Sequence, residues 1–178
     1  MNKMAKTNNQ VNYTLHYFNI YVRGEAIRML LSHAGIPFKN QIIEFAVWPA
    51  LKPTMPNGQL PVLELANGKK MGQSGAILRY LGMNHGYYPD DPLEAQECDE
   101  FMDGYADILA KIYKPHFDPS ADTAELFGTV LPNFLTSIDA ACAKGQFLCG
   151  TNLTIADFAV GCLYTNYFNN AGVFKAAN

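Results

Sequence analysis

The sequence lacks the features that would assign it to several protein classes. Its 178 residues include four cysteines, all in the second half, and no Cys-X-X-Cys pair. Thiol-disulfide chemistry is therefore poorly supported, and we expect a reduced, cytoplasmic protein. The net charge is -3, and the 13 basic residues are scattered, which argues against nucleic acid as a partner. No apolar run approaches the roughly 20 residues that a membrane span needs.

Hydrophobic residues are abundant, at 49% of the chain, so one large domain or two small ones can each bury a core. The first 12 residues are polar and aperiodic, which is typical of a flexible tail. We expect ordered structure to begin at Tyr13.

The segment after the tail has the pattern of a small sheet with helices. Large residues alternate from Tyr13 to Phe18, which predicts a strand, and apolar residues at helical spacing predict a helix over 23–34. A second strand over 38–45 would complete a β-α-β unit with parallel strands. Strands over 61–65 and 69–71 would form a hairpin whose Asn67-Gly68 step suggests a type I′ turn, and Ser74 opens another helix.

The pattern changes at residues 87–92, where two prolines and two acids stand together. Beyond this point the chain shows helical signals only, with helical segments predicted over 93–113 and 122–143 and a break over 115–119 between them. Pro132 predicts a kink or a restart within the second segment. A further helix is predicted after Thr154, which together with Asp157 resembles a capping box. The predicted organisation is a tail over 1–12, a domain over 13–86, a linker over 87–92 and a helical domain over 93–178.

Several segments in this order carry a family resemblance. They are Tyr17-Phe18-Asn19 with Arg23 six residues after the tyrosine, Leu60-Pro61, the Gln73-Ser74-Gly-Ala-Ile-Leu-Arg-Tyr-Leu81 run, and Phe147-Leu-Cys-Gly150 followed by Leu153-Thr-Ile-Ala-Asp157. Together they resemble a cytosolic glutathione S-transferase of the tyrosine-type classes, nearest to sigma. The resemblance implies a thioredoxin-like N-terminal domain (α/β) and an all-α C-terminal domain.

The resemblance also implies an activity: the thiolate of glutathione attacks a hydrophobic electrophile, with glutathione as co-substrate and with no metal or other cofactor. Tyr17, at the end of the first strand, would donate a hydrogen bond to the sulfur. Judged from the residues alone, Tyr17 could equally be a core aromatic with a satisfied hydroxyl. Arg23 would stabilise the negative charge, and the alternative is a solvated arginine near Glu25.

The resemblance places further glutathione contacts on seven residues. Lys52 and Trp48 would meet the glycyl end, the backbone of Leu60 would pair with the cysteinyl unit, and a helix N-terminus would hold the γ-glutamyl carboxylate. Lys52 could instead be an ordinary surface lysine, and Trp48 could pack under Pro49. The full set is Trp48, Lys52, Gln59, Leu60, Pro61, Gln73 and Ser74.

The helical half contributes less certain assignments. In the family that the chain resembles, an acidic residue reaches across a homodimer to the amino group of glutathione, and Asp107 matches that residue. Asp103 is the competing assignment. A solvated position on the helix surface is the alternative for both. Tyr113 and Phe117 would line the electrophile pocket beside Phe18, although an aromatic pair at this spacing also suits a core.

Three departures from the family pattern qualify these expectations. Tyr21-Val22 replaces an arginine-glycine dipeptide, and Asn57 stands where several classes insert an aromatic key into the partner subunit, so we expect a more polar interface. The chain stops at Asn178, where family members continue for further helices; either it is short by nature or a segment is missing. Alternative functions are a noncatalytic binding or structural protein and a glutathione-dependent isomerase or peroxidase.

Overall fold

The computed structural model describes residues 12–118, 120 and 122–165. The chain divides into two compact units, and the boundary between them falls after Ile77. None of the helices in these described residues is long and apolar enough to cross a membrane. The expected tail over 1–12 lies almost wholly outside this part of the chain.

The first unit contains a four-stranded sheet in the order β2-β1-β3-β4. The first two strands are parallel, with Tyr17 opposite Ile42, and the other neighbours are antiparallel. The alternation predicted for the first strand is confirmed, because Tyr13, Leu15 and Tyr17 are buried while the residues between them are half-buried. The strands are β1 (Tyr13–Tyr17), β2 (Phe38–Ile42), β3 (Val62–Leu65) and β4 (Lys70–Met71).

The first two strands end earlier than predicted. The N–H of Ile43 donates to the carbonyl of Tyr17 over 2.8 Å, and the two segments leave the sheet after this hydrogen bond. Phe18 therefore follows β1, and Phe45 lies in a turn beyond β2.

Three α-helices of the described residues belong wholly or partly to this unit. They are α1 (Val22–His33), α2 (Trp48–Leu51) and α3 (Ser74–His85), and the boundary between the units falls within α3. The α1 residues Ile27, Leu30 and Leu31 are fully buried, as predicted from their helical spacing.

The hairpin between β3 and β4 has a different turn from the one predicted. Gly68 has a positive φ of 81°, but Asn67 does not, so the type I′ prediction is wrong. The N–H of Gly68 donates to the carbonyl of Leu65, and the N–H of Leu65 donates to the carbonyl of Lys69. A three-residue loop with glycine in the left-handed position explains this pattern.

The second unit is helical in its described residues: α4 (Pro92–Phe117), α5 (Leu131–Cys142) and α6 (Ile155–Leu163), with a π-helical segment over Leu126–Val130. The break predicted to begin at Pro115 is wrong at its start, because α4 continues to Phe117. The kink or restart predicted at Pro132 is not a restart, because Val130 is helical and the N–H of Leu131 donates to the carbonyl of Leu126, so the π-helical segment runs directly into α5. Proline has no N–H to donate, and the change from π-helical to α-helical structure falls next to this residue.

The start of α6 depends on the Asp157 carboxylate. One of its oxygens accepts the N–H of Thr154 over 2.8 Å and the hydroxyl of the same residue over 3.0 Å. The other accepts the N–H of Leu148 over 2.9 Å. The predicted cap is confirmed, and the carboxylate also ties the preceding loop to the helix.

Val22, the first residue of α1, has a backbone conformation that β-branched residues avoid. Its φ is +39°, and the left-handed region costs a residue with a side chain roughly 1–2 kcal/mol. In the Tyr21-Val22 dipeptide, which departs from the family pattern, Val22 therefore has a backbone conformation that a glycine would adopt freely.

We predict that Asp157→Ala lowers the free energy of unfolding by about 2–4 kcal/mol, because three donors lose a charged acceptor. Asp139→Ala, at an exposed position on α5, is the control and should change it by less than about 0.5 kcal/mol. Urea denaturation at a fixed protein concentration measures both. Equal effects of the two substitutions would refute the role given to Asp157.

We also predict different effects on stability for two valine-to-glycine substitutions. Val22→Gly relieves the left-handed strain, whereas Val47, with a φ of -93°, has no such strain to relieve. The two variants share the entropic cost of glycine, so Val22→Gly should be more stable than Val47→Gly by about 1–2 kcal/mol. Thermal and urea unfolding of the pair test this difference, and a Val22→Gly protein no more stable than the Val47→Gly protein would contradict it.

Candidate functional site

A cavity of about 490 Å³ opens in the first unit, which is within the roughly 300–1,000 Å³ typical of small-molecule sites. Four segments contribute to it: the start of α1, α2 with the turn after it, the segment before β3, and the start of α3. Eight predicted site residues line it together with one glycine that the sequence did not single out. The lining residues are Arg23, Trp48, Lys52, Gly58, Gln59, Leu60, Pro61, Gln73 and Ser74.

The charge of the cavity is positive. Arg23 and Lys52 are the only charged residues among the nine that line it. The lysine stem runs beside Gly58, where an added Cβ would meet its Cγ and Cε at 3.5 Å. This wall favours a ligand that carries a carboxylate.

A tight bend shapes the segment before β3. Asn57 and Gly58 have φ values of 56° and 58°, in the left-handed region that asparagine and glycine tolerate best. The Leu60–Pro61 peptide bond that follows is cis. Gln59 and Leu60, between these two features, both line the cavity.

The start of α3 forms another wall. Gln73 has a φ of 67°, and its carbonyl accepts the N–H of Ile77 over 2.9 Å. Its side-chain amide donates to the Gln59 side-chain oxygen over 3.2 Å. Ser74 is the first helical residue, as predicted, and the first N–H groups of a helix have no partner within it. A carboxylate placed here would meet both these donors and the positive end of the helix dipole.

Tyr17 is not among the residues that line the cavity. Its side chain is buried, with 4% of its surface exposed. It is joined to the cavity through aromatic contacts: the ring centre of Phe18 is 5.8 Å from that of Tyr17 and 5.7 Å from that of Trp48.

The structure adds an aromatic residue that the sequence did not single out. Phe45 stacks on Phe18 with ring centres 4.4 Å apart and planes inclined by 13°. It is also 64% exposed. Its assignment to the second strand concealed this role, because a strand residue in alternation suggests a core position.

Arg28 is a second residue that the sequence did not single out. It donates to the carbonyls of Phe18 and Ile20 over 3.2 and 3.0 Å and pairs with Glu25 over 2.8 Å. Its guanidinium carbon lies 5.6 Å from the ring centre of Tyr17. Arg28, five residues after Arg23, thus fixes the loop between β1 and α1.

The predicted residues of the second unit have different environments. Asp103 and Asp107 are both exposed. Asp103 accepts a hydrogen bond from Arg79 over 3.0 Å, and Asp99 accepts another from the same residue over 2.7 Å. Burial of Arg79 opposes its charge, but the hydrogen bonds to these two carboxylates prevail and raise the pKa of Arg79. Tyr113 is half-buried.

The side chain of Phe117 lies outside the described residues. Its predicted place in the electrophile pocket therefore stays a prediction.

Comparisons with known proteins match both halves of the chain. Residues 13–83 match the family described as glutathione S-transferase, N-terminal domain, and residues 106–177 match glutathione S-transferase, C-terminal domain. A glutathione S-transferase of Anopheles gambiae is 34% identical over 172 residues, covering 92% of this chain and 84% of that protein.

Two further relatives agree with this assignment. The hematopoietic prostaglandin D synthase of Gallus gallus is 34% identical over 152 residues, covering 83% of this chain and 75% of that protein. A solved structure of a glutathione S-transferase of Caenorhabditis elegans has a TM-score of 0.81 and 31% sequence identity to this chain. The match covers 93% of this chain and 85% of that protein's chain. With its four-stranded sheet and helical second half, the chain belongs to the glutathione S-transferase family.

Proposed function

We propose that this protein is a glutathione transferase that joins the thiolate of glutathione to hydrophobic electrophiles. The observation that supports this most strongly is the convergence of seven predicted glutathione contacts and the predicted catalytic Arg23 on one cavity, which has two cationic residues and a helix N-terminus. Glutathione has two carboxylates, and the two ends of this cavity offer each of them a positive partner.

We assign the binding residues by position around the cavity. Lys52 would counter the glycyl carboxylate, and Trp48 would pack against the same end. The backbone of Leu60, held by the cis bond to Pro61, would pair with the cysteinyl unit as an added strand does.

The γ-glutamyl end lies at the start of α3. Ser74 and the backbone N–H groups behind it would hold its carboxylate, while Gln73 is oriented by its hydrogen bond to Gln59.

Tyr17 would activate the thiol. A free thiol with a pKa near 8.5 is only about 3% ionised at pH 7. A hydroxyl that donates to the sulfur favours the thiolate, and lowering the thiol pKa by about two units corresponds to about 2.7 kcal/mol. Arg23, which lines the cavity, would add a positive charge near the same sulfur. The thiolate then forms the new carbon–sulfur bond with an electrophile held beside it.

The electrophile would bind against aromatic side chains. Phe18 lies between Tyr17 and Trp48, and the exposed ring of Phe45 extends its surface. Such a face suits an apolar substrate next to a charged thiolate site. The electrophile contacts predicted for Tyr113 and Phe117 stay predictions.

A glutathione-dependent isomerase is the second candidate. The relative named hematopoietic prostaglandin D synthase is 34% identical to this chain, and an isomerase or a peroxidase could use the same thiolate. A noncatalytic binding or structural role would retain the cavity without needing Tyr17 as a donor.

We further propose a cytoplasmic homodimer in which Asp107 contacts the glutathione amino group in the partner's site. Both carboxylates are exposed, but Asp103 already accepts a hydrogen bond from Arg79, which leaves Asp107 as the better candidate. The domain limits remain those inferred above, with glutathione bound by residues 13–86 and a helical domain over 93–178.

The first functional prediction concerns the hydroxyl of Tyr17. Tyr17→Phe should lower kcat for conjugation of a chloronitrobenzene by about 10- to 100-fold, since one charge-assisted hydrogen bond is lost. Glutathione binding should change by less than about threefold, because the carboxylate contacts remain. The intrinsic fluorescence of Trp48, the only tryptophan of the chain, measures binding directly.

The results of this experiment separate the candidates. Wild-type protein that binds glutathione but conjugates no electrophile from a panel would favour the noncatalytic role. Formation of prostaglandin D without conjugation would favour the isomerase. Absence of glutathione binding would refute all of them.

The second prediction distinguishes the two aspartates. Asp107→Asn should raise KM for glutathione by about 10-fold or more, because a charge-assisted hydrogen bond to the amino group is weakened. Asp103→Asn should leave that KM within about twofold and instead lower stability, since its loss affects Arg79. The reverse pattern in steady-state kinetics would reassign the role to Asp103.

A further inference from the structure

The ring of Tyr17 rests directly on the backbone of Gly24. A Cβ atom built on this glycine would lie 2.8 Å from Cγ and 3.0 Å from Cε1 of the tyrosine, and closer still to Cδ1. Real side chains essentially never approach so closely. The contact involves Cγ, where the ring joins the rest of the side chain, as well as Cδ1 and Cε1. Movement of the outer end of the Tyr17 side chain alone therefore cannot relieve it.

The tyrosine has little freedom to move away. Its backbone is fixed at the end of β1 by pairing with Ile42 and by the hydrogen bond from Ile43. Its side chain is 96% removed from solvent, with 4% exposed. Arg28 lies 5.6 Å from the ring centre and is itself held by Glu25.

Glycine is otherwise a poor choice at this position. Gly24 is the third residue of α1, and glycine in a helix costs about 1 kcal/mol relative to alanine. Its φ is not in the left-handed region, so backbone conformation does not require it. Glycine is required here because the Tyr17 ring occupies the space that a side chain would fill.

We infer that Gly24 is a positioning residue, whose missing side chain sets where the Tyr17 hydroxyl meets the thiol of glutathione. This inference rests on the proposed function. An alanine would force the ring to shift by several tenths of an ångström or more, and the hydroxyl lies at the far end of that ring. A misplacement of about 1 Å at a reacting group can cost about 100-fold in rate.

The test compares Gly24→Ala with Gly128→Ala in the full chain. Gly128 is exposed, and a Cβ there meets nothing within 4 Å, so it serves as a matched control. We expect Gly24→Ala to lower kcat by about 10- to 100-fold and to raise the pKa of the bound glutathione thiol towards that of the free thiol. KM for glutathione should change by less than about threefold, and Gly128→Ala should resemble wild type in all three quantities.

The Gly24→Ala/Tyr17→Phe double variant separates positioning from packing. If the glycine acts through the hydroxyl, the double variant should be no slower than Tyr17→Phe alone, because the hydroxyl is already gone. Additive losses, an unchanged thiol pKa in Gly24→Ala, or a Gly24→Ala protein that does not fold while Gly128→Ala does would each overturn the inference.

The failure of the proposed function gives a different result. In that case the wild-type protein would conjugate no electrophile, whereas a Tyr17→Phe variant with the kcat and thiol pKa of an active wild type would reject the role of the Tyr17 hydroxyl. Loss of activity in Tyr17→Phe with none in Gly24→Ala would retain the function and reject only the role of the glycine.

Discussion

The site depends on where the first two strands stop. The hydrogen bond from Ile43 to Tyr17 is their last link, and beyond it one segment enters α1 while the other turns into α2. Because parallel strands end at the same edge of a sheet, both loops reach the same region. Arg23 and Lys52 reach this edge from different segments. Leu60 shortly before β3 and Ser74 shortly after β4 reach the same edge, because β3 runs antiparallel to both β1 and β4.

Much of this could be predicted because the signals are local. The alternation at Tyr13 to Tyr17 and the starts of α3 at Ser74 and α6 at Thr154 depend on neighbours within a few residues, and each is confirmed. The residues that line the cavity were then predicted from the resemblance to the family, which depends on the order of its motifs along the chain. Periodicity alone could not have done so, since it does not show that distant segments such as Lys52 and Gln73 meet.

What the sequence did not reveal depends on contacts between segments or on fine backbone geometry. Phe45 stacks on Phe18 only because both segments leave the sheet at one edge. Asn67-Gly68 suits two hairpin turns, and the choice depends on how β3 pairs with β4. Arg28 resembled an ordinary helix arginine until its two carbonyl partners in the preceding loop were known.

The strongest conflicts with local preference lie between Tyr17 and Gly24. Val22 occupies a left-handed position that glycine would fill freely, and Gly24 occupies a helical position that a larger residue would fill better. Exchanging these two residues would improve both backbones, but a side chain at 24 would collide with the Tyr17 ring. Natural sequences tend to break local rules at functional sites. The Tyr17 ring explains the glycine at position 24. Nothing in the structure explains the valine at position 22, and the site does not require the backbone strain at that residue.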